Sequence, residues 1–209
     1  MGDRISGDTL GRTVVGRATR LARPARREQL VRAAAAAFLE RGFDGTSMET
    51  VADHAGVTRM LVYRHFDSKE ALYRAVMASA VEQLSAAFDP ESAGAEPGIA
   101  GQLLVAARQT PDAFRLLWRH AQHEPEFAVD AHQFRTYVRG YADTLLAPLI
   151  ADRARRQWSA ALIVDFLYGG ICTWLDEGDA AGDDEFARQL YWGVTGLLGA
   201  WSDQGPDHT

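Results

Sequence analysis

The sequence predicts an all-α protein of about nine helices, with three short helices near the N-terminus followed by a larger helical body. Three observations predict it. Apolar residues recur at three- and four-residue spacing over most of the chain, and few segments alternate at strand period. Capping residues and glycine stops then punctuate that pattern at regular intervals. With 209 residues, 47% hydrophobic and 24% charged, the chain can bury a sizeable core in one to two domains. The single cysteine, Cys172, excludes a disulfide framework and any cysteine-based zinc finger. No run reaches the roughly 18 uninterrupted apolar residues of a membrane span; the closest, Ala160 to Leu175, carries Asp165 and the Gly169-Gly170 pair. No apolar stretch follows the arginines of the first 25 residues, so no secretory signal is expected. The whole reads as a soluble cytoplasmic protein with no membrane partner.

Residues 1–24 show no periodicity and carry Arg4, Arg12, Arg17, Arg20 and Arg23 against only Asp3 and Asp8. They read as a mobile basic arm, or as an ordinary leader whose arginines reflect a GC-rich genome, since Lys69 is the sole lysine. In the first helix Leu30, Ala33, Ala34, Ala37 and Phe38 form one apolar stripe, and the alanines from Ala33 to Ala37 strengthen it. Gly42 supplies the stop. Thr46-Ser47-Met48-Glu49 has the capping-box form, with Thr46 at the cap and Glu49 three residues on. Met48, Val51, Ala52 and Ala55 then carry the second helix, which ends at Gly56. A short third helix opens near Thr58, whose hydroxyl is placed to cap it, and contains Leu61, Val62, Tyr63 and Phe66. Asp67-Ser68-Lys69-Glu70 starts a fourth through Leu72, Val76, Met77, Ala80, Leu84 and Phe88. Asp89 to Gly98 is a Pro/Gly/Ser-rich loop. Later helices are expected at about Ile99–Arg108, Asp112–Gln122 (after a Thr110-Pro111 start), Glu126–Leu149 with a bend near Pro148, Arg156–Asp176 and Asp184–Trp201. Asp183, Asp184 and Glu185 suit the last one's positive N-terminus. The division that follows is an arm over 1–24, a reading domain over 25–72, a body over 73–203 and a tail over 204–209.

The net charge of −6 is unevenly spread. Up to Met77 there are 13 basic and 9 acidic residues, and from Ala78 onward 9 basic and 19 acidic. A basic end on an acidic body suits contact with a polyanion at that end only. The second and third helices, joined through Ala55-Gly56-Val57, form a helix-turn-helix. In that motif the second helix enters the DNA major groove, and its first residues meet base edges. Here those are Thr58, Arg59, Met60 and Leu61. Arg59 has the planar fork that bridges guanine O6 and N7, or it contacts a phosphate or only solvent. Tyr63, His65 and Lys69 suit phosphate positioning better than sequence reading, while Val62 and Phe66 suit the core.

Phe38, Gly42-Phe43-Asp44-Gly45-Thr46-Ser47, the Ala52…Gly56-Val57-Thr58 turn and Val62-Tyr63-Arg64-His65-Phe66-Asp67-Ser68-Lys69-Glu70-Ala71-Leu72 closely resemble the TetR (tetracycline-repressor-like) family of bacterial regulators. The resemblance covers about 50 residues. It implies a homodimer whose N-terminal domains bind a palindromic double-stranded DNA operator, usually repressing transcription, and a C-terminal domain that binds a small effector and moves the reading heads apart. Carried over by position, it implies that Thr46 and Ser47 anchor phosphates. Thr58, Arg59, Met60 and Tyr63 would then face bases or their flanks, and His65 and Lys69 would contact the DNA backbone. Members often have small or polar residues where this chain has Met60 and Leu61, which leaves the operator sequence open.

The body carries an aromatic load. Phe114, Trp118, Phe134, Tyr137, Tyr141 and Phe166 are candidates for a largely apolar effector pocket, the alternative being ordinary core packing. His120 and His123 with Glu124 and His132 are close enough in sequence to suggest a metal, but histidines near a helix C-terminus are common, so no metal and no cofactor is expected. Asp165 should pair with an arginine, within the subunit or across a dimer, or else hold a polar ligand group. The last two helices are expected to seal a homodimer. Ala160–Leu175 is apolar nearly all round, and Gly193, Gly196 and Gly199 lie beside the stripe Phe186, Leu190, Val194, Leu197 and Trp201. The expected interface comprises Gly169, Gly170, Leu190, Gly193, Gly196 and Leu197, unless these glycines ease packing within one subunit. A nucleophile elbow, a Gly-rich phosphate loop and a His-Glu-x-x-His spacing are all missing from the sequence, so an enzyme is not expected. The acidic body argues against a nonspecific DNA-packaging protein.

Overall fold

The computed structural model describes residues 22–92 and 94–202. Most of the basic arm and the tail over 204–209 therefore lie outside the described residues. Helix α1 (Arg23–Arg41) opens with Pro24 in its first turn, where a missing N–H costs nothing. Arg23 and Pro24, expected in the arm, thus begin the helix instead. The alanine-rich stripe of α1 turns inward, with Leu30, Ala34, Ala37 and Phe38 fully buried. Gly42 ends it at φ 69°, returning its N–H to the Phe38 carbonyl; a residue with a Cβ rarely adopts that backbone.

Helix α2 (Met48–Ala55) starts one residue later than the capping box read from the sequence. Ser47, not Thr46, is the cap, and it pairs reciprocally with Thr50 rather than Glu49. Gly56 closes α2 in the left-handed region, φ 62° and ψ 39°, with Gly56 and Val57 donating back to Asp53 and Ala52. This is the C-terminal motif that only glycine takes without strain. Helix α3 (Arg59–Tyr63) is a little over one turn, and the Thr58 hydroxyl does not cap it. Helix α4 (Lys69–Ala87) is capped by the Ser68 hydroxyl on the Ala71 N–H and runs unbroken across residue 72. It packs on both α1 and α5 as one continuous helix.

The body adds α5 (Gly98–Gln109), α6 (Pro111–Arg115), α7 (Ala128–Leu146), α8 (Arg153–Glu177) and α9 (Asp183–Trp201). The single helix expected over 112–122 is regular only to Arg115. It widens into a π-type turn over Leu116–His120, with Ala121 donating to Leu116, then tightens over Ala121–His123. The Trp118 carbonyl there accepts from Arg135 of α7, which satisfies it outside the helical ladder. Helix α7 stops at Leu146, short of Pro148, so the expected bend does not arise. Among the described residues α8 alone is long and apolar enough to cross a membrane by length and composition, and half of that stretch is buried inside the fold. It packs against α5, α7 and α9 as the central helix of the body.

Candidate functional site

The reading surface is built by α2, the Gly56 turn and α3. Val62 and Phe66 are buried, as their apolar spacing requires, and α3 packs against α2. That leaves Thr58, Arg59, Met60 and Tyr63 outward, with Met60 75% exposed, while Leu61 turns half inward. Arg59 lies along this edge, donating to the Tyr63 hydroxyl at 3.3 Å and 3.6 Å from the Glu49 carboxylate. Both partners are exposed and replaceable by a base or phosphate. His65 is half-buried beside Arg23, Arg26, Arg27 and Arg64; burial first, then these positive charges, hold its pKa below the usual histidine value. Arg27 also stacks on Phe66 at 5.0 Å. The α1 arginines thus join the basic rim. Their spacing, three arginines within five residues just before an apolar stripe, was the available signal for them.

Two expected phosphate contacts fall elsewhere. Thr46 is 2% exposed, and its hydroxyl lies 3.1 Å from the Ala37 carbonyl and 2.8 Å from that of Gly42; it ties the turn to α1 and is turned away from solvent. Lys69 donates to the Phe43 carbonyl at 2.8 Å and sits 4.1 Å above the Phe43 ring. Its charge holds the Gly42–Phe43 turn. Ser47 remains exposed at the cap of α2, where an N-terminus favours a phosphate.

The body contains a cavity of about 540 Å³ between α4, α5, α7, α8 and α9. Phe134, Tyr137 and Tyr141 line it, together with Phe88, Tyr168 and Tyr191. Phe114, Trp118 and Phe166 do not line it. Phe114 and Trp118 are buried behind the wall, stacked on Tyr168 at 5.6 and 4.5 Å, and Phe166 faces outward across Gly193. Aromatic type alone did not separate wall from backing, because both are apolar helix faces. Asp165 pairs within the subunit, 3.1 Å from Arg139 and 3.7 Å from Arg135. Glu124 accepts from the Phe43 N–H at 3.3 Å and His123 pairs with Gln122. No metal-binding cluster occurs among the described residues.

A family model of bacterial regulatory proteins of the TetR family matches residues 30–76, the stretch that carries this reading surface and its supports. The segment that builds this surface is that of the TetR family. The chain is 44% identical over 68 residues to the HTH-type transcriptional activator FasR of Mycolicibacterium smegmatis, a match spanning 32% of this chain and 31% of that protein. It is 28% identical over 149 residues to an HTH-type transcriptional repressor of Mycobacterium tuberculosis, spanning 68% and 71%. A solved TetR-like regulator from Rhodococcus sp. RHA1 shares the fold with a TM-score of 0.67, covering 85% of this chain and all of that one at 23% identity.

The head meets the body through an aromatic junction. Phe127, fully buried just before α7, lies 4.2 Å from Tyr73 in a stacked pair and 4.9 Å from Phe43 edge-on. Phe38 completes the cluster at 4.9 Å from Tyr73. The glycines of the last two helices divide into two sets. Gly170 faces Leu190, and Gly193 lies against Phe166, both within the subunit. These contacts seat α9 on α8, so Gly170, Leu190 and Gly193 serve the fold of one subunit. Gly169 and Gly196 have nothing near the site of a Cβ. They lie on an outer face with exposed Trp158, Leu162, Phe166 and Trp192, and Leu197 is half-buried beside them.

Proposed function

We propose that this TetR-family regulator binds a two-fold DNA operator as a homodimer, reading bases with Thr58, Arg59, Met60 and Tyr63, and represses until a small, largely apolar effector enters the cavity. The repressor among its relatives that aligns over most of both chains favours repression over activation. The observation that carries the reading is α4. Its first turns, with Leu72 and Tyr73 buried, belong to the head, and its last turns place Val81, Leu84, Ser85 and Phe88 in the cavity wall. A ligand that moves those last turns moves the reading helix. Selection of bound sequences from random DNA, followed by footprinting, tests it: a short two-fold protected site supports the reading, and uniform protection defeats it. Any effector must lower operator affinity by the same factor by which operator lowers its own, because coupling is reciprocal.

Three residue-level results are expected. Arg59→Ala should cost about 1–3 kcal/mol on the operator and relax one base position; equal losses on operator and random duplex would remove it from the reading set. Lys69→Ala should leave the salt slope of DNA binding unchanged, since its ammonium holds the Phe43 carbonyl. It should instead lower unfolding stability by roughly 1.5–3 kcal/mol, the usual worth of a hydrogen bond from a charged group. His65, its pKa lowered by burial and by the α1 arginines, stays neutral in the folded head while the unfolded chain takes up a proton. Its contribution to stability is therefore present above about pH 6.5 and lost as the pH falls through that value toward its folded pKa. A phosphate against the ring favours the imidazolium, so its NMR titration midpoint should rise when operator duplex is added. An unmoved midpoint would place His65 away from the phosphates.

A further inference from the structure

The cavity wall is more selective than its apolar character alone implies. None of its lining side chains is Asp, Glu, Lys, Arg or His; the polar groups are hydroxyls only, on Ser85, Thr195, Tyr137, Tyr141, Tyr168 and Tyr191. Two of these are already engaged, Thr195 donating to the Tyr191 carbonyl at 3.0 Å and Tyr191 to the Gly94 carbonyl at 3.3 Å. Tyr168 is buried between aromatic neighbours. Ser85 and Tyr137 are exposed, Tyr137 to 72%, and with Leu145 and Leu149 they form an amphipathic rim. The inner wall, by contrast, is aliphatic: Leu84, Leu103, Ile163, Val164 and Leu167.

A charged headgroup finds no counter-charge there. Arg135 of α7 is stacked 3.7 Å over Trp118 and, like Arg139, is paired with Asp165. Arg156 at the start of α8 is paired with Asp143. The first turn of α5 brings Ile99 and Ala100 to the wall, but a helix N-terminus supplies only about half an elementary charge. An unpaired carboxylate or ammonium drawn from water into such a wall is penalised far more than a hydroxyl or carbonyl, which one tyrosine or serine can satisfy.

We propose that the occupant is an uncharged amphiphile, an apolar chain or ring system whose single hydroxyl or carbonyl is met by one of the wall's hydroxyls, and that the cavity selects against carboxylates and amines of the same shape. The inference rests on the effector reading above and narrows its chemical class.

The test uses the full chain and three probes with the same twelve-carbon tail: dodecan-1-ol, dodecanoate and dodecylammonium. Each is titrated below its micellar range, at pH 8, against the fluorescence of bound N-phenyl-1-naphthylamine. The alcohol should displace the dye with an apparent Kd at least tenfold below that of either ion, a difference of about 1.4 kcal/mol. Lowering the pH to 5 should improve dodecanoate by neutralising it and leave dodecanol unchanged. Dodecanoate or dodecylammonium binding as tightly as the alcohol at pH 8 overturns the class and leaves the cavity as the effector site. Leu103→Trp and Val194→Trp fill the cavity from α5 and α9 and keep that second question separate. Each should abolish dye binding while retaining the helical far-UV signal. Unchanged binding in both filled variants shows that the tails bind elsewhere, and overturns the cavity reading itself. Should a filled variant fail to fold, the alcohol-to-ion ratio of the unaltered chain still decides the class. No displacement by any tail overturns both.

Discussion

Phe127→Ala should lower the stability of the whole chain by about 3–5 kcal/mol, the usual cost of emptying a fully buried phenylalanine site. Phe127 is fully buried, and its ring is shared between head and body: it stacks on Tyr73 of α4 and meets Phe43 of the α1–α2 turn edge-on. Arg74 covers the same ring at 5.2 Å while its guanidinium lies 3.5 Å from Asp130 in the first turn of α7. Removing the ring leaves a hole that neither domain can close alone, since α4, the start of α7 and the α1–α2 turn converge on it. Phe127→Leu restores most of the volume and forfeits the ring pairs, so it should cost less; aromatic pairs add about 0.5–1.5 kcal/mol beyond area. Urea unfolding read by tryptophan fluorescence measures both. A loss under about 1 kcal/mol for the alanine variant would mean that the head is held by α4 alone. The alanine variant should also uncouple DNA from the cavity, because α7 carries Phe134, Tyr137 and Tyr141 into the cavity wall and begins one residue after Phe127.

Helix periodicity was legible in the sequence wherever one face of a helix meets one core, as in α1, α2, α4 and α9. What the pattern could not supply is the direction of a side chain whose role depends on a carbonyl it does not adjoin in sequence. Lys69 is the clearest instance. A lone lysine beside a reading helix is reasonably assigned to phosphate, yet the Gly42 turn aims the Phe43 carbonyl at its ammonium. Thr46 failed for the same reason: a hydroxyl near a helix start has two possible partners, and the turn offered it the Ala37 and Gly42 carbonyls. In the body the limit was different. Phe114 and Trp118 both stack on Tyr168 from a segment that widens after α6 over Leu116–His120, and no residue type in that stretch announces a π-type turn. The cavity's helices were therefore legible, and half of its aromatic lining was not.

Gly196→Leu should convert the protein to monomers and cut operator affinity by at least a hundredfold, while leaving each subunit as stable as before or slightly more so. The expectation rests on the division of the glycines. Gly170 and Gly193 are occupied by Leu190 and Phe166 of their own subunit, so enlarging either would disturb the α8–α9 contact and confuse folding with assembly. Gly196 meets nothing at the site of a Cβ, and replacing a helical glycine gains up to about 1 kcal/mol in propensity. Any damage must then come from outside the subunit. The face around Gly196 presents Trp158, Leu162, Phe166 and Trp192 to solvent, an apolar surface of the kind that a soluble chain covers. On the proposed homodimer a second copy is expected to cover it with the same face about a two-fold axis, pairing α8 and α9 of each subunit in a four-helix bundle, with Gly169 and Gly196 where backbones would approach most closely. One head alone spans one half-site, and half-sites in such operators lie at least about 34–36 Å apart, so a monomer forfeits the second set of contacts. Sedimentation velocity and operator titration on the same preparation measure both effects, and thermal unfolding confirms that the subunit is intact. A dimer of unchanged affinity and full operator binding after this substitution would move the two-fold axis to another face, and Leu162→Arg would then be equally silent.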